Sequence, residues 1–170
     1  MDASPETVKS LTNGALWAYV KDPKVYRCPY FPFKGYVRNY SINNYVNGRT
    51  VWPGYAVVAT TLSSVPKPGA TISFLEEPDP RKGFQGSWVT DMMSKYRWID
   101  PIGAWHSKGV NFAFVDGHTE YWQWTDGRTI AMMNNPGFYS STANNYDLYR
   151  IKKHIAPGDV RLADFINSLP

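Results

Sequence analysis

The sequence predicts an α+β fold with an N-terminal helix, antiparallel hairpins and short C-terminal helices. Apolar residues recur at helical spacing over residues 4–20, whereas several later segments are rich in Tyr, Val, Ile and Phe. Asn-Gly and Asp-Gly pairs, which favour tight turns between antiparallel strands, separate some of these segments. The 13 prolines and 13 glycines among 170 residues favour one loop-rich domain, residues 1–170, over a helix bundle.

The first predicted element is a helix over residues 4–20. Ser4 is a suitable N-cap, Pro5 suits the first helical position, and Glu6 interacts favourably with the positive end of the helix dipole. Gly14 weakens the middle of the segment, so two short helices are the alternative.

Three further segments are predicted strands: residues 24–30, 35–46 and 71–77. The second is rich in Tyr, Val and Ile with rough alternation, and Asn47-Gly48 after it marks a tight turn. The third is a short apolar run that ends in two glutamates. These strands are expected to pair with neighbours through hairpins.

Residues 78–105 show little periodicity and are predicted as a long loop excursion, which is uncommon in a compact domain. We expect Trp88, Trp98 and Trp105 to fasten this excursion to the core. A helical tail is predicted over residues 146–170, as one helix followed by a shorter closing helix.

The clearest predicted hairpin joins residues 110–115 to residues 118–124. Asp116-Gly117 between them is a favoured two-residue type I′ turn. A loop of two residues fixes a register that pairs Phe112 with Tyr121 and distributes large side chains over both faces. We therefore expect a central hairpin or one that a helix covers.

Composition and charge narrow the function classes. The net charge is +4 and the pI about 9.1, but the basic residues are scattered. Arg150, Lys152 and Lys153 come closest to a basic patch, and they lie in a predicted helix, where a solvated surface is the expected role. Nucleic-acid binding is therefore not indicated. No signal peptide or apolar membrane segment is visible in the sequence.

The single cysteine, Cys28, excludes a disulfide within this chain and predicts that no Cys-based zinc site is present. Cys28 precedes a proline and has no adjacent histidine in the sequence, which favours a structural role over nucleophilic catalysis. The chain also lacks a Gly-x-Ser-x-Gly elbow and a glycine-rich phosphate loop. These observations disfavour nucleophilic catalysis and leave open a metal-dependent hydrolase built on His106, Asp116 and His118.

Two groups of polar residues are candidate metal ligands. His106, Asp116 and His118 combine two imidazoles with a carboxylate, the donors that a transition metal prefers, although the tight turn alone accounts for Asp116. Glu76, Glu77 and Asp79 offer oxygen ligands for calcium, although a solvated strand end is the more common role of such a cluster.

The aromatic content of 16% is high and suggests a different function class. Exposed Trp and Tyr on a loop-rich β scaffold can hold sugars or other ligands, and the excursion over residues 78–105 is the candidate region. Core packing and loop anchoring are the more common roles of such residues.

One spacing resembles that of a known family. His106, nine intervening residues and Asp116-Gly117 match the H-X9-DG signature of a bacterial prepilin-type, processing-associated family, whose members are similar to pseudopilins. Earlier segments of the chain resemble that family in the same order, namely GALWAYVKDPKVYRCP (14–29), RNYSINNYV (38–46) and VPKPGATISFLEE (65–77).

The resemblance implies a pilin-like fold, with an N-terminal helix packed on an antiparallel sheet. It implies a non-enzymatic subunit of a type II secretion or type IV pilus-like filament, whose partners are other pilin or pseudopilin subunits or secretion-system proteins. A basic leader and an apolar membrane helix are expected upstream of Met1, with this chain on the extracytoplasmic side.

Further implications concern individual residues. A cysteine near the end of that upstream helix is a potential disulfide partner for Cys28. Major pseudopilins bind calcium in a C-terminal loop, so a structural calcium is conceivable here, whereas no other cofactor is implied. His106, Asp116 and Gly117 are expected to be structural, since the processing peptidase acts on the leader.

Overall fold

A computed structural model describes residues 8–46, 58–80 and 86–170. It combines short helices with one five-stranded mixed sheet in this part of the chain. The helices are Val8–Thr12 (α1), Trp17–Val20 (α2), Gly127–Ala131 (α3), Tyr146–Lys153 (α4) and Ala163–Asn167 (α5). The strands are Tyr40–Asn43 (β1), Ile72–Glu76 (β2), Ser87–Trp88 (β3), Gly109–Phe114 (β4) and Thr119–Gln123 (β5).

The strands lie in the order β3-β1-β2-β4-β5. The pairs β1–β2, β2–β4 and β4–β5 are antiparallel, as predicted, but β3 pairs with β1 in parallel. The prediction of a purely antiparallel sheet is therefore wrong at this edge. The reason is topological, because β3 belongs to the excursion predicted as loop and returns alongside β1 after a long connection.

The N-terminal region corrects two predictions. Instead of one helix over 4–20, α1 and α2 flank Gly14, so the alternative of two short helices is the one observed. Residues 24–30 do not form a strand, because Pro23–Tyr26 is a 3-10 helix whose N-cap, Asp22, accepts from the Lys24 N–H at 2.9 Å. The predicted caps at residues 4–6 and the turn at Asn47-Gly48 lie outside the described residues.

The hairpin of β4 and β5 forms where it was predicted, but its register differs by one residue. Phe112 lies opposite Glu120, not Tyr121. The loop has three residues, because the Phe114 N–H donates to the His118 carbonyl at 2.9 Å and Gly117 adopts a φ of 97°. A glycine in this left-handed conformation closes a common three-residue hairpin loop.

The corrected register places the large side chains on one face instead of both. Val110, Phe112 and Phe114 of β4 are buried, and Trp122 of β5 lies on the same face, with its ring 4.5 Å from the Phe112 ring. Tyr121, on the opposite face, is 47% exposed. This aromatic face packs against the C-terminal helices in the core, which includes Met132, Leu148, Ile151 and Ile155.

Tryptophans fasten the excursion over residues 78–105, as expected. Trp88 and Trp98 are buried, and their indole N–H groups donate at 2.9 Å to the Pro101 carbonyl and the Thr142 hydroxyl. The described part of the excursion, residues 78–80 and 86–105, thus contains β3 and contacts the core. In the described part of the chain, no helix is long and apolar enough to cross a membrane.

Among the basic residues of α4, Lys152 departs from the solvated role that the sequence suggested, whereas Arg150 is exposed. Lys152 is fully buried, and its ammonium group donates to the backbone carbonyls of Asp91, Ser94 and Arg97. The neighbouring Arg150 guanidinium lies over the Trp122 ring, 3.7 Å from its centroid. Lys152 therefore joins α4 to the excursion by satisfying three carbonyls.

We predict that Lys152→Met lowers the free energy of unfolding by about 2–4 kcal/mol, because buried carbonyls lose their donor. Lys153→Met is the matched control, since Lys153 is the next residue and donates only to the Pro170 carbonyl near the chain terminus. Urea unfolding of both variants measures the difference. Equal stability of the two variants would contradict the role of Lys152.

Candidate functional site

Three side chains of metal-ligand type meet at the end of β2. They are Cys28, Glu76 and His106, and their ligand atoms all lie within 4.8 Å of one another. The His106 Nε2 atom is 3.1 Å from Glu76 Oε1 and 3.5 Å from Cys28 Sγ. Cys28 and Glu76 are buried, whereas the His106 side chain is 21% exposed. The cluster is thus a buried site with one side toward solvent.

Glu76 is the centre of this cluster. Its side chain is fully buried at the last position of β2, where the strand pairs with Tyr40 of β1. Its Oε1 atom accepts from the Trp105 indole N–H at 3.2 Å, and its Oε2 atom accepts from the Asn111 backbone N–H at 3.2 Å. These donors, together with His106, compensate for the removal of the carboxylate from water.

Cys28 reaches the cluster from the segment that follows the first 3-10 helix. Its backbone N–H donates to the Asn39 side chain at 2.6 Å, which fixes the thiol beside β1. Burial raises the pKa of the Cys28 thiol, and the negative charge of Glu76 raises it further. Burial raises the pKa of Tyr40 as well, and the nearby Glu76 and Cys28 raise it further.

His106 is held by an unusually tight turn just before β4. Its backbone N–H and carbonyl pair with Gly109, while Ser107 and Lys108 between them adopt φ values of 49° and 65°. Left-handed backbone is disfavoured for residues other than glycine and is found at positions that the surrounding structure constrains. Here the Tyr121 hydroxyl donates to the His106 carbonyl at 2.8 Å.

The contacts of the His106 ring differ from those of the histidine in a nucleophilic Cys–His–acid triad. In a Cys–His–acid triad the acid contacts the ring nitrogen that does not face the nucleophile. Here Cys28 and Glu76 both face Nε2 of His106. Three potential donor atoms therefore point toward one small volume.

The structure does not bring His106, Asp116 and His118 together as the sequence hypothesis required. Asp116 and His118 lie beyond the opposite end of β4, where Asp116 Oδ1 is 2.6 Å from His118 Nδ1. Glu120 contacts the other ring nitrogen of His118 at 3.3 Å. These residues are exposed, and they form a hairpin-end pair that is separate from His106.

The predicted calcium set is also divided. Glu76, Glu77 and Asp79 are all buried, so the expectation of a solvated strand end is wrong. Glu76 contacts His106 and Cys28 instead of sharing a ligand group with Asp79. In the described ranges, the Cys28–Glu76–His106 cluster is the only group of three such side chains close enough to hold a metal.

Sequence reasoning missed the contact of Cys28 with His106. The single cysteine predicts that no Cys-based zinc site is present, and no histidine adjoins Cys28 along the chain. That reasoning omits sites in which one thiol combines with an imidazole and a carboxylate from distant segments. The available signal was that Cys28, Glu76 and His106 each lie in a segment that resembles the prepilin-type family.

Comparison with known proteins gives no independent assignment. No protein-family model matches the chain, and neither a curated protein nor a solved structure with significant similarity was found.

We predict that Glu76→Gln lowers the free energy of unfolding by about 1–3 kcal/mol, because an amide nitrogen would face one of the buried donors. Glu120→Gln is a matched control. Glu120 also contacts one tryptophan and one histidine N–H group, but its side chain is 45% exposed. Its substitution should change stability by less than about 0.5 kcal/mol in the same thermal and urea measurements. Equal losses of unfolding free energy in the two variants would contradict the expectation that the burial of Glu76 makes its substitution more costly.

The Asp116–His118 pair predicts that its contribution to the stability of the fold depends on pH. The hydrogen bond with Asp116 raises the pKa of His118, and the hydrogen bond with His118 lowers the pKa of Asp116. The histidine contribution to stability is present below its ordinary pKa of 6.5 and is lost as pH rises through the raised value. The aspartate contribution is present above its ordinary pKa of 3.8 and is lost as pH falls through the lowered value.

The contribution of this pair is therefore greatest between these two ordinary values. NMR titration should show that Asp116→Asn lowers the pKa of His118, while the pKa of the half-buried His154 stays below the ordinary histidine value as in the wild type. An unchanged His118 titration in the variant would contradict the assignment.

Proposed function

We propose that this chain is the non-enzymatic extracytoplasmic domain of a pseudopilin-like subunit in an envelope filament of the type II secretion or type IV pilus kind. The observation that carries the proposal is the meeting of the four family-like segments at one cluster. These segments supply Cys28, Asn39, Glu76 and His106, in that order along the chain. Because residues from all four segments contact one another in this cluster, a resemblance spread over four separate segments has a common structural basis.

The spacing of the H-X9-DG signature also has a physical explanation in this fold. His106 begins the tight turn that precedes β4, and Asp116-Gly117 lies in the loop that follows it. The nine residues between them are those needed for a turn, one six-residue strand and the first loop residue. The signature therefore marks the two ends of β4.

The position of the N-terminal helices is consistent with a pilin-like arrangement. Leu11 and Leu16, from α1 and the segment before α2, line a groove of ≈ 610 Å³ together with Tyr40, Ile42 and Phe74 of the sheet. The segment from Leu11 to Val20 thus lies beside the sheet face that carries Tyr40, Ile42 and Phe74. An N-terminal helical segment packed on a sheet is the arrangement that the resemblance implies for a pilin-like subunit.

The alternative of a glycan-binding module receives less support. Trp88 and Trp98 of the excursion are buried, and their indole N–H groups bond within the protein. Neither ring can stack on a sugar without local unfolding. These two tryptophans are therefore packed parts of the domain and not a platform for a sugar.

The proposal is tested on the full-length protein in its native bacterium. The coding sequence upstream of Met1 should contain a basic leader and an apolar segment of about 20 residues. An epitope-tagged full-length protein should appear in the membrane and sheared-filament fractions, and deletion of the prepilin peptidase should leave a longer, unprocessed form.

Deletion of the upstream apolar segment provides the control and should release the protein from the membrane fraction. The same protein size with and without the peptidase, or the absence of an apolar segment upstream, would contradict the proposal.

A further inference from the structure

We propose that Cys28, Glu76 and His106 bind one divalent transition-metal ion of the zinc class. This inference does not depend on the filament role proposed above. It concerns an ion that ties the Cys28 segment to the sheet through Glu76 and to the β4–β5 hairpin through His106.

The distances between the donor atoms fit a tetrahedral zinc ion. With Zn–S near 2.3 Å and Zn–N or Zn–O near 2.1 Å, tetrahedral angles place sulfur and nitrogen about 3.6 Å apart, and nitrogen and oxygen about 3.4 Å apart. The corresponding distances are 3.5 Å for Cys28–His106 and 3.1 Å for His106–Glu76. Shifts of a few tenths of an ångström would bring these two pairs to the tetrahedral values, and the third pair, Cys28 with Glu76, lies within 4.8 Å.

The charges of the three ligands match a divalent ion. A thiolate and a carboxylate carry two negative charges, and a neutral imidazole adds none. A thiolate at Cys28 beside the Glu76 carboxylate would need compensation beyond the hydrogen bonds that Glu76 already receives. A bound dication would supply it and would use all three groups in the protonation states that metals require.

The type of donors selects the class of ion. Thiolate and imidazole favour borderline and soft transition metals, whereas calcium and magnesium take oxygen ligands in larger numbers. The other histidine–carboxylate group, around His118, is exposed, and its two carboxylates contact different ring nitrogens and so do not face one point. The cluster at Glu76 is therefore the better-formed site.

The site is held in shape and remains accessible. The turn with left-handed Ser107 and Lys108 fixes His106, and the Asn39 side chain fixes Cys28. The partly exposed His106 ring provides the route for the ion and leaves a fourth position for water, as in zinc sites with three protein ligands.

The test uses Co²⁺ and Zn²⁺ with the chelator-free, reduced protein. Elemental analysis and titration should give one equivalent of metal per chain. The cobalt form should show a thiolate-to-metal charge-transfer band in the near ultraviolet together with visible d–d bands of tetrahedral intensity. A cobalt complex without the charge-transfer band would overturn the proposal, because Cys28 is the only cysteine.

Substitutions assign the ligands. Cys28→Ser should abolish the charge-transfer band, and His106→Gln should weaken binding by more than about 100-fold, since loss of even an outer-shell partner costs 10–100-fold. His118→Gln is the matched control, a histidine beside carboxylates on the same hairpin, and should leave the affinity unchanged. Loss of binding in His118→Gln with retention in His106→Gln would overturn the assignment.

Thermal unfolding of the wild type provides a readout that does not depend on the folding of any variant. Zinc at roughly 100-fold above its Kd should raise the melting temperature by about 5–10 °C. If zinc binds without raising the melting temperature, the proposal that the ion joins these three segments is wrong.

Discussion

The arrangement of the segments around β2 depends on one buried carboxylate, Glu76, whose oxygens need hydrogen-bond donors. A carboxylate removed from water is tolerated only when donors or positive charge surround it, and Glu76 draws those groups from separate parts of the chain. Trp105 ends the excursion, His106 begins the turn before β4, and the Asn111 N–H comes from β4. Cys28 completes the set from the N-terminal segment. The position of β2 thus determines where three other segments lie.

The hairpin follows from the same constraint. Its first strand begins at the turn that presents His106 and ends at the loop that contains Asp116 and Gly117. A three-residue loop, instead of the two-residue loop that Asp-Gly suggests, shifts the register by one position. That shift brings Trp122 onto the face of Phe112, so the hairpin has one apolar face for the core and one face with exposed positions such as Tyr121.

Local signals predicted the parts of the fold that local physics controls. The apolar run of β2, the β4–β5 hairpin and the amphipathic α4 all formed at the expected places. The parallel pairing of β3 and the burial of Lys152 could not be read from the sequence, because both depend on partners far along the chain. The candidate site is predicted only in part for the same reason. The sequence indicates His106 and Glu76 as candidate ligands in two different sets and Cys28 as structural, because Cys28 and Glu76 are 78 and 30 residues away from His106.

Two buried charges in this protein illustrate why one is a candidate site and the other is not. The Lys152 ammonium group contacts three backbone carbonyls, which cannot change protonation state or leave the position that the fold gives them. The Glu76 carboxylate contacts an imidazole and a thiol, which exchange protons and bind metals. A fold that needed only to neutralise Glu76 could use backbone N–H groups, as it does with Asn111. Stabilisation of the fold therefore does not require an imidazole and a thiol beside Glu76, and this is why the cluster is the candidate site.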